Sequence, residues 1–471
     1  MAGKRKKIHW SVRRRIKQAR RTDDGPQQPQ EKEDRRADRS EAVHPGSYAA
    51  RRLHATQEAA SLPPKRRYAL WVAFCGKNYS GMQMNEGVKT IEAELERALF
   101  EAGGIAETNY GFLQKIGWSR AARTDKGVHA AGQLISVKLH VGKDISAFVA
   151  KVNHAIPEDI RVMQCVTVTK NFNAKMTCDQ RTYEYLAPSF ILRRRAWRQS
   201  SDVSSNTNDM PDTAARQWPC DLRDSEADLD NMIIDEKTLT NHKSFRLSED
   251  TLDLLNATLK QYVGTHNFHN FTSKMEPTNP KAKRFIISFE AERPFVQHDT
   301  EWLRLRVVGQ SFLLHQIRKM IGTAIEIVSG VADPSTIERA MELTKMDLPK
   351  APSVGLYLAQ AHFEVYNMKL AESIQTSHPP LDLKDAAVAK AVEQFKRDVI
   401  FDHIVKHEER TRTYAKWLRV LEVLPFDYVS KPYVEWKTEK EEEALRTDRG
   451  GRRALAKAAQ AEIALQDRDA L

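Results

Sequence analysis

Residues 116–139 read IGWSRAARTDKGVHAAGQLISVKL. Apolar and polar side chains alternate at 135–139, which predicts a strand with one buried face. The preceding RTDKG at 123–127 cannot extend that strand, because Asp and Gly favour turns. The pattern therefore predicts a single carboxylate, Asp125, on a tight turn at the start of a strand.

The charges around this turn indicate a ligand but do not prove one. Arg123 and Lys126 flank Asp125, and His129 follows closely. Two cations would keep the carboxylate ionised, and they suit the approach of a polyanion. An ordinary surface turn with solvated charges explains the same spacing, because a lone turn Asp is common. The spacing alone leaves both interpretations open.

The stretch 123–130, RTDKGVHA, resembles the catalytic signature of the TruA family of tRNA pseudouridine synthases, whose core pattern is GRTDKGVHA. Ala122 replaces the leading glycine of that pattern, a departure similar to the eukaryotic branch of the family. The resemblance covers residues 68–367 and implies that Asp125 is the catalytic carboxylate. It also implies that Arg123 fills the gap left by a base flipped out of its stem.

The segment 181–188, RTYEYLAP, alternates as a strand does and predicts two tyrosines on one face. Residue pattern alone favours a core position for both. The segment resembles the R-x-Y-x-Y motif of the family, which implies that Tyr183 stacks on the target base beside the catalytic Asp. Tyr185 is expected to remain a core residue.

A strand predicted at 302–308 leads into a helix within 313–330, whose apolar face includes Leu314. The intervening GQSFLLHQIR resembles the third family motif, which implies that Arg318 pairs with the catalytic Asp. Such an ion pair would hold Asp125 in place and lower its pKa. Further along the chain, Leu356 resembles the family's apolar contact to the target base.

The segment 264–272, GTHNFHNFT, places His266 and His269 three residues apart. No further Cys, His or acidic cluster completes a metal site in this segment. The segment resembles one in the eukaryotic branch of the family, which implies a position near the active-site cleft. Together with the turn, the resemblance implies a substrate-binding set. This set comprises Arg123, Lys126, His129, Tyr183, His266 and Leu356.

The positive charge of the chain belongs to its N-terminal region. Residues 1–67 contain 19 Lys and Arg against 8 Asp and Glu, a net +11 that equals the charge of all 471 residues. The rest is formally neutral, so any RNA-binding cations there must be gathered locally. The cluster at 4–7 favours nuclear import over a mitochondrial presequence, because acidic residues follow at 23–34. No segment has the length and apolarity of a membrane span.

Four scattered cysteines without a CxxC pair (Cys75, Cys165, Cys178 and Cys220) indicate a reduced compartment and argue against a structural zinc site. Composition and pattern predict six regions. They are a disordered basic tail at 1–67, a catalytic lobe at 68–194, a flexible acidic insertion at 195–243, a second lobe at 244–367, a helical extension at 368–436 and a charged tail at 437–471. Ser248, which is followed by acidic residues, is the predicted N-cap of a helix in the second lobe. The extension is expected to contain amphipathic helices around 384–399 and 409–424 that cover the second lobe.

The resemblance implies an α+β fold with two lobes, a mixed central sheet flanked by helices, a cleft between the lobes and C-terminal helices. The expected enzyme is a monomer that isomerises uridine in the anticodon stem-loop region of tRNA, with snRNA or mRNA as further substrates. The reaction consumes no electrons and no water, so neither a metal nor another cofactor is expected. One carboxylate can act as a nucleophile or as a base.

Two alternatives remain open. A related synthase could modify the lower anticodon stem, or the chain could be a catalytically silent RNA-binding protein or tRNA chaperone. A glycosidase would need two carboxylates around the bond, whereas this motif offers only Asp125.

Overall fold

The computed structural model describes residues 62–195, 233–273, 275–373 and 378–423. The predicted charged tail at 437–471 lies outside this range, as does the basic tail except for residues 62–67. All of the described residues belong to one compact unit. No helix among them is long and apolar enough to cross a membrane.

Ten strands form one mixed sheet. The strands are β1 (Arg66–Phe74), β2 (Ser119–Arg120), β3 (His129–Leu139), β4 (Ile160–Thr167), β5 (Gln180–Pro188), β6 (Gly264–Asn267), β7 (Lys283–Ala291), β8 (Phe295–Gln297), β9 (Thr300–Gly309) and β10 (Leu356–His362). The order of the strands across the sheet is β4-β1-β3-β10-β5-β9-β7-β6, with β2 paired to β3 and β8 paired to β9.

Strand β10 joins parts of the chain that are far apart in sequence. It pairs in parallel with β3 at Tyr357–His129 and Leu358–Ala130, and it runs antiparallel to β5 on its other side. The two backbones approach so closely that a Cβ at Gly132 would lie 2.4 Å from the carbonyl oxygen of Ala359. The predicted lobes therefore share one continuous sheet, and the expected mixed α+β fold is confirmed.

Helices surround this sheet. They are α1 (Ile91–Glu101), α2 (Ile145–Ala155), α3 (Ala174–Thr177), α4 (Glu236–Ser244), α5 (Glu249–Lys260), α6 (Gln316–Val328), α7 (Thr336–Met341), α8 (Glu364–Glu372), α9 (Ala386–Phe395), α10 (Asp402–Thr411) and α11 (Thr413–Val423). The predicted N-cap of α5 is confirmed, because the Ser248 side chain accepts a hydrogen bond from the amide of Thr251.

Two local expectations were wrong. The part of the expected flexible insertion that the structure describes contains α4, whose N-cap Asp235 accepts from the amide of Thr238. Leu314 does not belong to the apolar face of α6, because the helix begins at Gln316 and the Leu314 side chain is 52% exposed. Residue His315, with φ of 64°, separates Leu314 from the helix.

The C-terminal helices differ from the prediction in both form and place. Arg412, with φ of 57°, ends α10, so the continuous helix expected at 409–424 is wrong. The helices were also expected to cover the second lobe, but α9 contacts β3 and β4. Lys396, in a π-helical turn after α9, lies 3.4 Å from Glu184 of β5. The extension thus packs across the sheet that both lobes share.

Candidate active site

Asp125 lies on the predicted tight turn between β2 and β3. The amide of Val128 donates to the Asp125 carbonyl oxygen at 3.2 Å, which closes a four-residue turn. Gly127 occupies its third position with φ of 78°, a conformation that glycine adopts at no steric cost. The side chains of Asp125 and Lys126 are exposed on this turn. The local sequence therefore presents the carboxylate outwards.

Buried polar contacts hold the backbone that leads into the turn. Gln133, fully buried on β3, donates from Nε2 to the Ala122 carbonyl oxygen at 2.8 Å and accepts from the Ala122 amide at 3.1 Å. Arg181 of β5 donates from Nη2 to the carbonyl oxygen of Ala121 at 2.8 Å. Sequence reasoning missed both positioning residues. A polar residue inside an otherwise apolar strand was the available signal for Gln133.

A second segment packs directly on the turn. The amide of Met82 donates to the Thr124 carbonyl oxygen at 3.2 Å. A Cβ at Gly81, where φ is 87°, would lie 2.8 Å from that same oxygen. Glycine at position 81 therefore permits the close approach that supports the turn from the opposite side.

Tyr183 is buried on β5, with 8% of its surface exposed. Its ring lies edge-on to the ring of Phe312, with 5.3 Å between their centroids. Burial raises the pKa of the Tyr183 phenol above its usual value, and the negative charge of Asp125 contributes to the increase. The structure therefore brings Tyr183 and Asp125 into one site, and the phenol stays protonated at neutral pH.

Arg318 reaches the site from the first turn of α6 and is only 8% exposed. Its Nε donates to the carbonyl oxygen of Ala351 at 2.6 Å, and the amide of Ala351 donates back to the Arg318 carbonyl oxygen at 3.1 Å. The helix and the 349–351 loop nearly touch, since a Cβ at Gly322 would lie 2.4 Å from the Pro349 carbonyl oxygen. These contacts orient the guanidinium group rigidly.

Arg318 lowers the pKa of Asp125, as predicted, but burial has the larger effect, so the pKa of Asp125 is raised overall. Desolvation by the surrounding protein raises the pKa of Asp125, although one side of its side chain is open to solvent. The positive charges of Arg318 and then Lys350 oppose that increase. Sequence reasoning missed Lys350, for which the PKAP segment at 349–352 offered only a weak signal.

The remaining predicted substrate residues differ in how well they are placed. Arg123 is exposed and forms no hydrogen bond or ion pair with the described residues, so its guanidinium group is available to a ligand. Leu356 is nearly buried and pairs with Tyr185, whereas Leu358 pairs with Tyr183. Paired residues of antiparallel strands project from the same face, so Leu356 shares the face of both tyrosines.

Two histidines are not where the resemblance implied. His129 is 0% exposed, accepts from the Gly76 amide at Nδ1, and lies 3.0 Å from the Val354 carbonyl oxygen at Nε2. Burial lowers the pKa of His129 to about 3, so this ring is neutral. Because the side chain is fully buried, it cannot contact the RNA. His266 lies on β6, an edge strand that is five positions away from β3 in the order of strands across the sheet. The structure does not bring it together with Asp125.

The second half of the HNFHNF segment does approach the site. Asn270 donates from its side chain to the carbonyl oxygen of Ala340 at 2.9 Å, and its own carbonyl oxygen accepts from Lys319 Nζ at 3.2 Å. His269 lies with Nε2 3.2 Å from the Thr344 carbonyl oxygen. These contacts brace α6 next to Arg318, so this part of the segment has a positioning role.

The comparisons with known proteins agree with this architecture. Residues 258–364 match a family model described as tRNA pseudouridine synthase. The chain is 38% identical over 366 residues to the pseudouridylate synthase 1 homolog of Mus musculus, covering 77% of this chain and 75% of that protein. It is 33% identical over 401 residues to tRNA pseudouridine synthase 1 of Kluyveromyces lactis, covering 78% and 71%.

The human pseudouridylate synthase 1 homolog is likewise 38% identical over 360 residues, covering 76% of this chain and 73% of that protein. The chain belongs to the TruA family of tRNA pseudouridine synthases. It is an enzyme that isomerises uridine in tRNA, which confirms the predicted reaction and the predicted RNA partner.

Proposed function

We propose that the enzyme modifies uridines in the anticodon stem-loop region of tRNA and that Asp125 is its catalytic carboxylate. One observation carries the second proposal: Asp125 is exposed on a rigid turn, yet its charge interacts with the buried groups Tyr183 and Arg318. The proposal that the enzyme acts on the anticodon stem-loop region rests on the motifs that resemble the eukaryotic branch of the family. Structured snRNA and mRNA are proposed as further substrates, for a monomeric enzyme.

The reaction breaks the bond between N1 of uracil and C1′ of ribose and joins C5 to the same carbon. The C5 proton is lost and N1 gains a proton, so the overall composition does not change. An ionised Asp125 can begin this process as a nucleophile or as a base that abstracts a ribose proton. Arg318 and Lys350 favour the ionised form against the effect of burial.

The detached uracil must rotate without leaving the site. Tyr183, held edge-on by Phe312, offers one flat wall for the base. Leu356, on the same face of the sheet, offers an apolar contact that does not compete for the polar edge of uracil. Both side chains come from strands in the middle of the sheet, so they form a rigid platform.

A uridine within a stem must first leave its base stack, which costs a few kcal/mol. Arg123 lies two residues from Asp125, at the exposed end of the turn. Its planar guanidinium group can stack in the gap that the base leaves and donate to nearby phosphates. Lys126, exposed on the same turn, adds a second cation that can meet the RNA backbone.

The test compares wild type, Asp125→Asn and the matched control Asp253→Asn, since Asp253 is an exposed carboxylate on α5. Pseudouridine would be mapped in unmodified tRNA, snRNA and mRNA transcripts. Asp125→Asn is expected to lose at least about a thousandfold in rate. It should bind tRNA normally, because one neutralised carboxylate removes no phosphate contact.

The stability of Asp125→Asn provides an independent check. A raised Asp125 pKa means that the ionised side chain destabilises the folded state at neutral pH, so the neutral variant should be at least as stable as wild type. Retention of full activity by a stable Asp125→Asn would overturn the assignment. Absence of product from every variant, with tight tRNA binding, would instead favour a chaperone.

We also propose that the enzyme acts in the nucleus, on the basis of the KRKK cluster at 4–7. A fluorescent fusion of the full chain should accumulate in nuclei, and replacement of all four basic residues by alanine should disperse it. Mitochondrial accumulation of the unaltered fusion would contradict this proposal.

A further inference from the structure

The turn between β9 and α6 exposes an apolar side chain close to the candidate active site. Residues 312–314 are three consecutive hydrophobic residues, FLL. Phe312 and Leu313 pack against the core, whereas Leu314 is 52% exposed. Single exposed leucines are common on protein surfaces, so exposure alone assigns no role to Leu314. The backbone that holds this residue and its place in the fold carry the argument instead.

The backbone immediately after Leu314 is strained. His315 has φ of 64°, a left-handed conformation that residues other than glycine adopt at an energetic cost. Such residues persist only where the surrounding structure fixes them, and they are found preferentially at sites that bind a ligand. Here the strained residue directs the chain so that Leu314 leaves the apolar face of α6, which begins at Gln316.

Hydrogen bonds on both sides of His315 fix this conformation. The fully buried Gln316 accepts from the Leu313 amide at Oε1 over 2.8 Å, and its own amide donates to the Leu313 carbonyl oxygen at 3.2 Å. The amide of Lys319 donates to the His315 carbonyl oxygen at 3.0 Å. The turn is therefore rigid, and it holds Leu314 in contact with solvent.

The residues around Leu314 in the sequence belong to the site. Phe312, two residues earlier, lies against the ring of Tyr183, and Arg318, four residues later, acts on the charge of Asp125. An exposed side chain between these two residues lies at the rim of the site. Because the enzyme acts on tRNA, the ligand that meets this rim is RNA.

We propose that Leu314 packs against a base that neighbours the target uridine. When a uridine leaves its stack, each of its two neighbours exposes one flat face. Arg123, from the turn between β2 and β3, can cover one of these faces, and Leu314, from the turn between β9 and α6, can cover the other. Other proteins insert leucine side chains between bases in this way. This inference rests on the proposed placement of the target uridine beside Asp125.

Activity on intact tRNA gives the first test. Leu314→Ala should lower kcat/KM by about tenfold, because the exposed half of the leucine is buried only in the complex. Leu314→Met should keep most of the activity, since methionine has a similar volume. Leu254→Ala is the matched control, because Leu254 is 47% exposed on α5, and it should match wild type. Both alanine variants should unfold within about 2 °C of wild type.

Altered tRNAs locate the contact. Two unmodified tRNAs would each carry an abasic site at one neighbour of the target uridine. The loss caused by Leu314→Ala should shrink to less than about twofold on at least one of them, because the base that the leucine contacts is then missing. Losses of similar size on the intact tRNA and on both abasic tRNAs would overturn the proposal. So would a wild-type kcat/KM of Leu314→Ala on intact tRNA.

The strained residue offers a further check. Glycine adopts the left-handed conformation at no steric cost, so His315→Gly should unfold at the same temperature as wild type or a higher one. Its kcat/KM should nevertheless fall, because a looser turn no longer holds Leu314 in place, and an unchanged kcat/KM would contradict this role of the strain. Asp125→Asn separates the two assignments. An inactive Asp125→Asn beside a fully active Leu314→Ala overturns only the contact, whereas full activity of Asp125→Asn overturns the proposed catalytic residue.

Discussion

The two faces of strand β5 differ in the environment of the carboxylates that lie near them. One face carries Tyr183 and Tyr185, and near Tyr183 lies the carboxylate of Asp125, open to solvent on one side. The opposite face carries Glu184, which is nearly buried and fully paired. Since side chains alternate along a strand, one segment can serve chemistry on one face and anchorage on the other.

The anchoring face is an ion cluster. Glu184 accepts a hydrogen bond from the Tyr357 hydroxyl and lies 3.4 Å from Lys396 Nζ and 3.8 Å from Arg304 Nη1. Lys396 belongs to the C-terminal extension, so this cluster links the extension to the middle of the sheet. A carboxylate surrounded by partners therefore holds structure, whereas Asp125, the proposed catalytic carboxylate, is left accessible.

The largest expected effect comes from breaking the anchoring face. Glu184→Gln removes the buried carboxylate that Lys396 shares with the partly exposed Arg304. Lys396 keeps its contact with Glu393 and Arg304 keeps its contact with Glu292. The free energy of unfolding should therefore fall by about 3 kcal/mol, the low end of the range for a broken buried ion pair. Urea denaturation measures this change, with Glu290→Gln on the exposed surface of β7 as the control. The rate per folded molecule should stay near wild type. A large fall in that rate would show that the two faces are not separable.

The next effect concerns Arg318, whose charge acts on the proposed catalytic carboxylate, Asp125. Arg318→Met removes the positive charge that has the larger effect of the two that favour ionised Asp125. The pKa of Asp125 should therefore increase further. Because the ionised form is required, the acid limb of the pH–rate profile should move to higher pH, with about a hundredfold lower rate at neutral pH. Arg318→Lys should restore part of the rate. Lys260→Met serves as control, since Lys260 is an exposed cation at the end of α5.

A smaller shift in the same direction is expected for Lys350→Met. Lys350 lowers the pKa of Asp125 by less than Arg318 does. The acid limb of the pH–rate profile should therefore move to higher pH by less than in Arg318→Met. The double variant should show the largest shift of the three. An acid limb that does not move in Lys350→Met would mean that Lys350 does not act on Asp125.

Tyr183→Phe should have the smallest effect, because the ring that forms the wall for the base remains. We expect less than about a tenfold loss of rate and little change in stability. Tyr185→Phe is the matched control: it removes a hydrogen bond to the Pro352 carbonyl oxygen and should cost about 1 kcal/mol of stability without affecting rate. A thousandfold loss in Tyr183→Phe would assign a chemical role to its hydroxyl.

Local pattern was enough to predict much of the fold. The strand that follows Asp125, the alternation around Tyr183, and the N-cap at Ser248 all depend on neighbouring residues, and all are present. Helix ends were less predictable. Leu314 has the spacing of a helical residue, but the left-handed backbone at His315 excludes it from α6.

The candidate site was predictable only where a motif preserved it. Asp125 lies close enough to Tyr183 and to Arg318 for its charge to interact with both, and their roles in the reaction stay predictions. Gln133 and Lys350 belong to no such motif, and their roles arise from partners that are distant in sequence. His129 shows the converse error, because proximity to Asp125 in sequence did not imply exposure.

The sequence by itself determined the strands around 135–139, 181–188 and 302–308, the tight turn at 123–127 and the class of reaction, because these follow from periodicity, from turn chemistry and from a specific motif. Only the tertiary structure decided the direction of the Asp125 pKa, the burial of His129 and the support of the turn by the amide of Met82. Each of these depends on desolvation or on contacts between distant segments, and burial exists only once the chain has folded.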